Sequence, residues 1–205
     1  MSTRKAVKAK RIRPTMGHAL KHQSFPISFF VRNMLALQKE PWWIHMSPRV
    51  RKTRLLMILE ERCRIFLEVR RWIQTGQKVG PWRAQALSIG KDRSSASGYC
   101  SNCGGCCEIA SGFSDFPAEA NIPIHWQRIF GDGLGRGHRF CAFLWEISAS
   151  GRSFCSIHPW RSHACRVFEE EECKYFMKDE EINALFDPNE FSVACRRLSN
   201  LINRG

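Results

Sequence analysis

Eight of the ten cysteines lie between residues 100 and 173, and four of them fall within eight consecutive residues. Spacings of two residues bring several sulfur atoms toward one point, and the intervening Gly104 and Gly105 allow the backbone to turn tightly there. Thiolate sulfur at this density is typical of zinc sites or iron–sulfur clusters. We therefore predict that these cysteines converge in space and bind metal. The predicted ligands are Cys100, Cys103, Cys106, Cys107, Cys141, Cys155, Cys165 and Cys173.

The other common use of clustered cysteines is a disulfide framework, which forms in oxidising compartments. The N-terminal residues are strongly basic and do not resemble a signal peptide, and the first apolar run, residues 25–37, is interrupted by Arg32 and Asn33. We find no stretch near the roughly 18–20 uninterrupted apolar residues of a membrane span. These features predict a cytoplasmic protein, where clustered cysteines bind metal more often than they form disulfides.

The identity of the metal stays open at this point. A structural zinc site takes four ligands, so eight cysteines could form two all-thiolate sites. A 4Fe–4S cluster also takes four cysteines, and C-x-x-C-x-x-C is a familiar part of its motif, although the usual following Cys-Pro is absent. His158 and His163 lie near the last cysteines and are candidate additional ligands. Arg161 and Arg166 could balance the negative charge of several thiolates.

Charge divides the chain unevenly. Residues 1–95 hold 21 Lys/Arg against 5 Asp/Glu, a net charge of +16, whereas residues 96–205 have a net charge of −3. We expect any partner of residues 1–95 to be acidic, and nucleic acid is one candidate. The basic arm within residues 1–21 could neutralise phosphates on nucleic acid or meet an anionic membrane surface or protein. The alternative, which we favour because the sequence shows no nucleic-acid fold motif, is a disordered tail that aids solubility.

The sequence predicts three segments. Residues 1–23 form a basic, disordered arm, residues 24–89 a basic helical segment, and residues 99–205 a metal-binding domain with C-terminal helices. Residues 90–98 are small and polar, which is typical of a linker.

Apolar periodicity is clearest in a helix over about Val50–Gln74. Its apolar stripe repeats at steps of three and four and comprises Leu55, Leu59, Cys63, Phe66, Val69 and Ile73. Cys63 is therefore predicted to be a small buried hydrophobe, and so is Cys195 in a C-terminal amphipathic helix. A shorter helix over 24–40 would have Ser24 as its cap. Trp42, Trp43, Trp72 and Trp82 are expected in the core, and an aromatic partner surface is the alternative.

Shorter elements are predicted in the cysteine-rich half. Residues 119–130 suit a short helix interrupted by Pro123, and 140–147 with 152–157 suit a β-hairpin. Residues 173–186 and 189–203 suit two closing helices. The predicted fold class is mainly α with an irregular, metal-stapled cysteine-rich region, a small α+β arrangement.

The order of these motifs resembles the YkgJ-type cysteine-cluster family, described as candidate zinc- or iron-chelating domains. The likeness covers about residues 99–173. It rests on C-x-x-C-x-x-C-C at Cys100–Cys107, on Cys141-Ala-Phe-Leu144, on Cys155-Ser-Ile-His158-Pro-Trp-Arg161-Ser-His-Ala-Cys165-Arg166-Val-Phe168 with Gly151 before it, and on Cys173. Two positions depart: His158 stands where the family usually has Tyr, and Arg161-Ser162 where it has Arg-Pro. Neither departure removes a cysteine.

The resemblance implies a metal-binding domain, and a similar signature occurs in flagellin lysine N-methylase, where a 4Fe–4S cluster and S-adenosylmethionine are implicated. No strand–Gly-x-Gly–helix segment for S-adenosylmethionine is evident in this sequence. Three hypotheses follow: a zinc- or iron-chelating protein whose site organises the fold, an iron–sulfur-assisted enzyme that modifies a protein side chain, and a nucleic-acid-associated protein with a structural metal. The sequence names neither a reaction nor an oligomeric state.

Overall fold

The computed structural model describes residues 16–75, 104–109, 115–130, 140–147, 152–166 and 170–172, together with 189, 192–196 and 198. The helices, in chain order, are α1 (Ile27–Lys39), α2 (Pro41–Ile44), α3 (Pro48–Thr75), α4 (Gly105–Ile109), α5 (Ile124–Gln127) and α6 (His163–Arg166). Short 3₁₀ turns are formed by Ala118–Ala120, Arg128–Phe130 and His158–Trp160, and the strands are β1 (Leu144–Ile147) and β2 (Arg152–Cys155). The fold is mainly helical with a small sheet, as predicted.

Helix α3 carries the predicted apolar stripe. Five positions of the stripe are buried, from Leu59 to Ile73, and Leu55 packs partly against the same core. Cys63 is fully buried among apolar side chains, which confirms its assignment as a core residue. One buried charge interrupts the pattern: Arg62 donates from Nη1 to the carbonyl oxygen of Phe140 at 3.0 Å. In the ranges that the structure describes, no helix is both long and apolar enough to cross a bilayer.

The prediction of a disordered arm is wrong for residues 16–23. Residues 16–20 are helical, and Ala19 is fully buried. Met16 and Leu20 pack partly against the core, and the His22 ring meets the Phe66 ring at a centroid distance of 5.3 Å. These few apolar side chains explain the order, because they give the segment one face that can be buried. Residues 1–15 lie outside the described residues.

The N-terminus of α1 is capped by a residue that is distant in the sequence and not by a neighbouring residue. Ser24, the predicted cap, makes no capping hydrogen bond in the helix, which begins at Ile27 after Pro26. Instead, the backbone N–H of Ser28 donates to Oε2 of Glu146 at 3.0 Å, and the Ser28 hydroxyl donates to Oε1 at 2.7 Å. A carboxylate at a helix N-terminus accepts from free backbone donors and complements the helix dipole.

One hydrophobic core joins the helices to the cysteine-rich half. Phe66 on α3 packs against Phe25 at 5.3 Å and against Trp145 of β1 at 5.8 Å between ring centroids. Trp72 packs against Trp126 of α5 at 5.7 Å. The predicted segments 24–89 and 99–205 therefore share buried residues, while the predicted linker, 90–98, lies outside the described residues.

The predicted hairpin is present and shorter than expected. Strands β1 and β2 are antiparallel, with Leu144 opposite Cys155 and Ile147 opposite Arg152. Residues 118–130 form the broken helical segment expected around Pro123. Residues 192–196 are helical, as predicted for the last helix, with Cys195 half-buried there; the predicted helix 173–186 lies outside the described residues.

Candidate metal centre

Cysteines from four parts of the chain line one cavity of about 50 Å³. The sulfur-bearing residues come from α4, from the turn before β1, from the end of β2 and from α6. They are Cys106, Cys107, Cys141, Cys155 and Cys165. Cys100, Cys103 and Cys173 lie outside the described residues, so their place relative to this cavity stays a prediction. Neither Cys63 nor Cys195 lines the cavity.

Gly104 sets the path of the chain into α4. Its φ is +78°, and a Cβ there would collide with the Phe29 ring and with the Ser153 hydroxyl. Only glycine adopts this conformation without strain and without that collision. The Gly104 carbonyl then accepts from the N–H of Cys107 at 2.9 Å, which closes the first turn of α4. This confirms the predicted tight turn at Gly104.

Polar contacts with α1 hold the other end of α4. The carboxylate of Glu108 accepts from the Arg32 guanidinium and, at 3.1 Å, from the Asn33 amide. Burial raises the pKa of Glu108, and the positive charge of Arg32 opposes that rise. The adjacent cysteines, Cys106 and Cys107, are thus carried on a turn that is fixed to the helical half at both ends.

The hairpin brings two more cysteines to the cavity. Cys141 precedes β1 by a short turn, and its N–H donates to the Cys107 carbonyl at 2.7 Å. Cys155 ends β2 opposite Leu144. The chain then turns, and the Ser156 N–H donates to the Phe143 carbonyl at 2.8 Å. Because these bonds are between backbone groups, they fix where the two Cβ atoms lie whatever the sulfurs bind.

Hydrogen-bond donors point at three of the sulfurs. The Phe143 N–H donates to Cys141 Sγ at 3.4 Å, and the Ile157 N–H donates to the sulfur of Cys155, so both donors lie two residues after their cysteine. The Ser162 hydroxyl donates to Cys165 Sγ at 3.6 Å. Donors to sulfur favour its charged, metal-binding form. Sequence reasoning missed this feature, since any residue type supplies a backbone N–H.

The sulfurs influence one another's ionisation. Hydrogen bonds with the Cys106 and Cys141 thiols, with burial, raise the pKa of Cys107. Burial, with the negative charge of Cys141, raises the pKa of Cys155 and raises that of Cys165 to about 12. Without a cation, these sulfurs therefore remain protonated at neutral pH. A bound metal ion would reverse this, because its positive charge stabilises adjacent thiolates.

One sulfur ionises more readily than its neighbours. A hydrogen bond from the Cys107 thiol lowers the pKa of Cys106 to about 7, against the opposing effect of burial, and the guanidinium of Arg161 acts in the same direction as the hydrogen bond. Arg161 lines the cavity, which agrees with its predicted role in balancing negative charge. Arg166 does not line the cavity: it is exposed, and its Nη2 atom lies 4.0 Å from the Asp115 carboxylate.

The two candidate histidines differ. His158 lines the cavity and is half-buried, whereas His163 is exposed and does not line it. His163 and Cys165 are two residues apart on α6, so their side chains point about 200° apart around the helix axis. They therefore cannot both face the cavity. His158 therefore remains a candidate additional ligand, and the structure gives no support to His163.

Aromatic side chains form the rest of the cavity wall. The Phe116 ring meets the Phe130 ring at 5.6 Å and the Phe143 ring at 5.8 Å between centroids. Phe154 and Ile157 complete the apolar lining. Phe143 and Ile157 each follow a cysteine by two residues, which is a local signal that the sequence offers for this wall. An apolar wall keeps water from the sulfurs, which strengthens electrostatic attraction to a cation.

The described side chains do not by themselves form a coordination shell. Among the described residues, no group of three or more His, Cys, Asp or Glu side chains is arranged to hold a metal ion. The sulfurs share a cavity and interact through hydrogen bonds and charge, and all five are free thiols. Zinc and iron–sulfur centres nevertheless use the same features: sulfur ligands, N–H groups that donate to sulfur, and an apolar wall that excludes water.

Comparisons with known proteins gave no match. No family model matches the chain. No curated protein and no solved structure matches it either.

Proposed function

We propose that this protein is a cysteine-cluster metal-binding protein, of the kind that the YkgJ-type family represents, whose metal holds the cysteine-rich half together. The observation that carries the proposal is the cavity lined by five cysteines, three of which receive a hydrogen bond on sulfur. In the proposal, Cys106, Cys107, Cys141, Cys155 and Cys165 are ligands, and Cys100, Cys103 and Cys173 join them. The free thiols suit a reducing, cytoplasmic compartment.

A bound metal would supply positive charge beside the cavity sulfurs. Several sulfurs line the cavity, and among the described residues that line it with them Arg161 is the cationic side chain. A zinc ion or an iron–sulfur cluster would let the thiolates ionise, and the binding free energy would become folding free energy. The role of the protein residues is to place the sulfurs, to donate hydrogen bonds to them and to exclude water.

The size of the cavity bears on which centre is bound. A volume of roughly 10–15 Å³ on the same measure accommodates one water molecule. The observed volume of about 50 Å³ therefore exceeds what one ion requires. The second candidate function, an iron–sulfur-assisted enzyme, would use this space to hold a cluster or a small substrate group against the aromatic wall. Zinc and iron both remain part of the proposal.

Anaerobic purification followed by elemental analysis and a visible spectrum tests the proposal. We expect stoichiometric zinc or iron, and an iron–sulfur cluster would add broad visible absorption that bleaches on reduction. Cys155→Ser should lose most of the metal. Cys63→Ser is the matched control, since Cys63 lies on α3 away from the cavity, and it should retain the metal. Absence of bound metal, or equal loss in both variants, would refute the proposal.

A further inference from the structure

A second surface, distant in sequence from the cysteines, exposes large apolar side chains. It consists of α2, the turn after it and the first turns of α3, residues 41–57, and we refer to it as the α2–α3 corner. Ile44 is 60% exposed and Met57 is 61% exposed, and Trp42, Val50 and Leu56 are also exposed. Trp43, next to Trp42, is buried, so the corner is anchored to the core while its neighbouring side chains point outward.

Several of these side chains are neighbours. Val50, Arg54 and Met57 are spaced by four and three residues, so they lie on one face of α3. The guanidinium of Arg54 lies 5.8 Å from the centroid of the Trp42 ring, which places α2 beside that face. The exposed side chains of Val50 and Met57 therefore share one face of α3 with the cationic Arg54, and the Trp42 ring lies beside that face.

The rest of α3 shows how unusual this end is. Farther along the same exposed face the side chains are charged with both signs, and Arg64 donates to Glu68 at 2.6 Å. That arrangement is an ordinary solvated helix face. The change occurs at Glu60 and Glu61, so the exposed large apolar side chains of α3 lie within the corner.

The charge of the corner has one sign. No acidic residue occurs between Glu40 and Glu60, whereas Arg49, Arg51, Lys52 and Arg54 do. In the described part of the structure, no ion pair involves Arg49, Lys52 or Arg54. The complementary surface must therefore be anionic, and it must also accept apolar side chains.

We propose that the α2–α3 corner binds the surface of an anionic lipid membrane. Phosphate and carboxylate headgroups would meet the cationic side chains, while Trp42, Ile44 and Met57 would enter the interface between headgroups and acyl chains. A nucleic acid would satisfy the cations and leave the aliphatic side chains in water. A bilayer presents anionic and apolar layers side by side and needs no matching shape, which suits a projecting corner. The proposal is independent of the metal centre.

Vesicle flotation of the full chain tests this inference. We expect the protein to float with vesicles of phosphatidylcholine and phosphatidylglycerol and to stay in solution with phosphatidylcholine alone. The double variant Ile44→Ser/Met57→Ser should partition about tenfold more weakly or worse, since each side chain loses apolar contact with the interface. Arg49→Gln and Arg54→Gln should each weaken partitioning roughly fivefold.

Matched controls separate the corner from general surface properties. Ile124→Ser changes an isoleucine that is also 60% exposed but lies on α5, and it should not alter partitioning. Arg71→Gln removes an exposed arginine from the far end of α3 and should have a clearly smaller effect than Arg54→Gln. Brominated lipid should quench the fluorescence contributed by Trp42, measured as the difference between the parent and Trp42→Phe.

Three results would overturn the proposal. One is absence of flotation with the phosphatidylglycerol vesicles. Another is flotation that Ile44→Ser/Met57→Ser leaves unchanged, because the binding would then be electrostatic alone, as the basic residues of 1–15 could provide. The last is retention on duplex DNA that exceeds binding to vesicles at the same ionic strength and responds to the arginine variants only, which would identify a nucleic-acid surface.

Discussion

Cysteine is used in two different ways in this molecule. On α3, Cys63 is fully buried in a stripe of apolar side chains, and burial, with the charge of Glu60, raises its pKa to about 12. Around the cavity, five cysteines lie among other cysteines, and hydrogen bonds and mutual charge influence their ionisation. Cys63 is stable as a neutral thiol where it is. The cavity cysteines become favourable as thiolates once a cation is present.

The contrast shows what holds each region together. The stripe of α3 is stabilised by burial of apolar surface, at roughly 25 cal/mol for each Å². The cysteine-rich region shares that core through Phe143 and Trp145, but its short helices, two-stranded sheet and 3₁₀ turns have little stability of their own. We therefore expect the second region to depend on metal more than the first.

Chelation should produce the largest effect. Removal of metal should lower the protection of backbone amides in 104–109, 140–147 and 152–166 by several kcal/mol, since metal binding in small irregular regions is folding free energy. Amides within 59–73 of α3 should keep most of their protection. Hydrogen exchange with and without chelator measures both. Equal loss in the two regions would mean that they form one metal-dependent unit.

Gly104→Ala should be strongly destabilising, with an effect second to that of chelation. The φ of +78° and the collision of a Cβ with Phe29 and Ser153 together should cost about 3 kcal/mol of unfolding free energy. Gly17→Ala is the control, because a Cβ there meets nothing within 4 Å, and it should be neutral or slightly stabilising in the helical turn. Urea unfolding of both variants measures the difference. Similar values for the two would contradict this role of Gly104.

Removal of the distant helix cap should cost less. Glu146→Ala leaves the Ser28 N–H and hydroxyl without their acceptor inside the protein, at a cost of about 2 kcal/mol. Glu146→Gln keeps one acceptor oxygen and should cost about half as much. Glu119→Ala, at an exposed glutamate in a 3₁₀ turn, should have little effect. If Glu146→Ala unfolds at the same urea concentration as the parent, the cap contributes nothing to stability.

Between pH 8 and pH 10, the smallest effect should be the pH dependence due to Cys63, about 1 kcal/mol. Because its folded pKa is about 12 and its ordinary value is near 9, the unfolded thiol ionises first. The contribution of the neutral Cys63 thiol to the free energy of unfolding is full below pH 9. It is lost as the pH rises toward 12, by about 1 kcal/mol for each pH unit. Cys63→Ala should lack this component. Unfolding of parent and variant at pH 8 and pH 10 tests it, and parallel profiles would contradict it.

The structural features that the sequence predicted correctly depend on residues that are close together in the chain. The stripe of α3 follows from residues three and four apart, and the turn at Gly104 follows from two adjacent glycines between cysteines. Trp42 shows the limit: the tryptophans were expected in the core, and Trp43 is buried, but Trp42 is 45% exposed. Adjacent positions of a helix point about 100° apart, so a pair of tryptophans cannot share one buried face.

Contacts between distant residues could not be predicted. Glu146 and Ser28 are 118 residues apart, and Arg62 and Phe140 are 78 apart. Polar pairs of this kind leave no periodic signal, because each needs only one suitable side chain at each end. Five of the cysteines predicted as ligands line the cavity, and their binding of metal stays a prediction. The aromatic wall and the donors to sulfur depend on how the hairpin packs on α4.

The central claim is that metal is held by the cavity sulfurs, and X-ray absorption at the metal edge tests it most directly. For the metal-loaded parent, we expect an inner shell dominated by sulfur, at about 2.3 Å if the metal is zinc. Cys141→Ser should reduce the number of sulfur neighbours, and Cys63→Ala should leave the shell unchanged. An inner shell of nitrogen and oxygen at about 2.0–2.1 Å in the parent, with no sulfur contribution, would contradict the account.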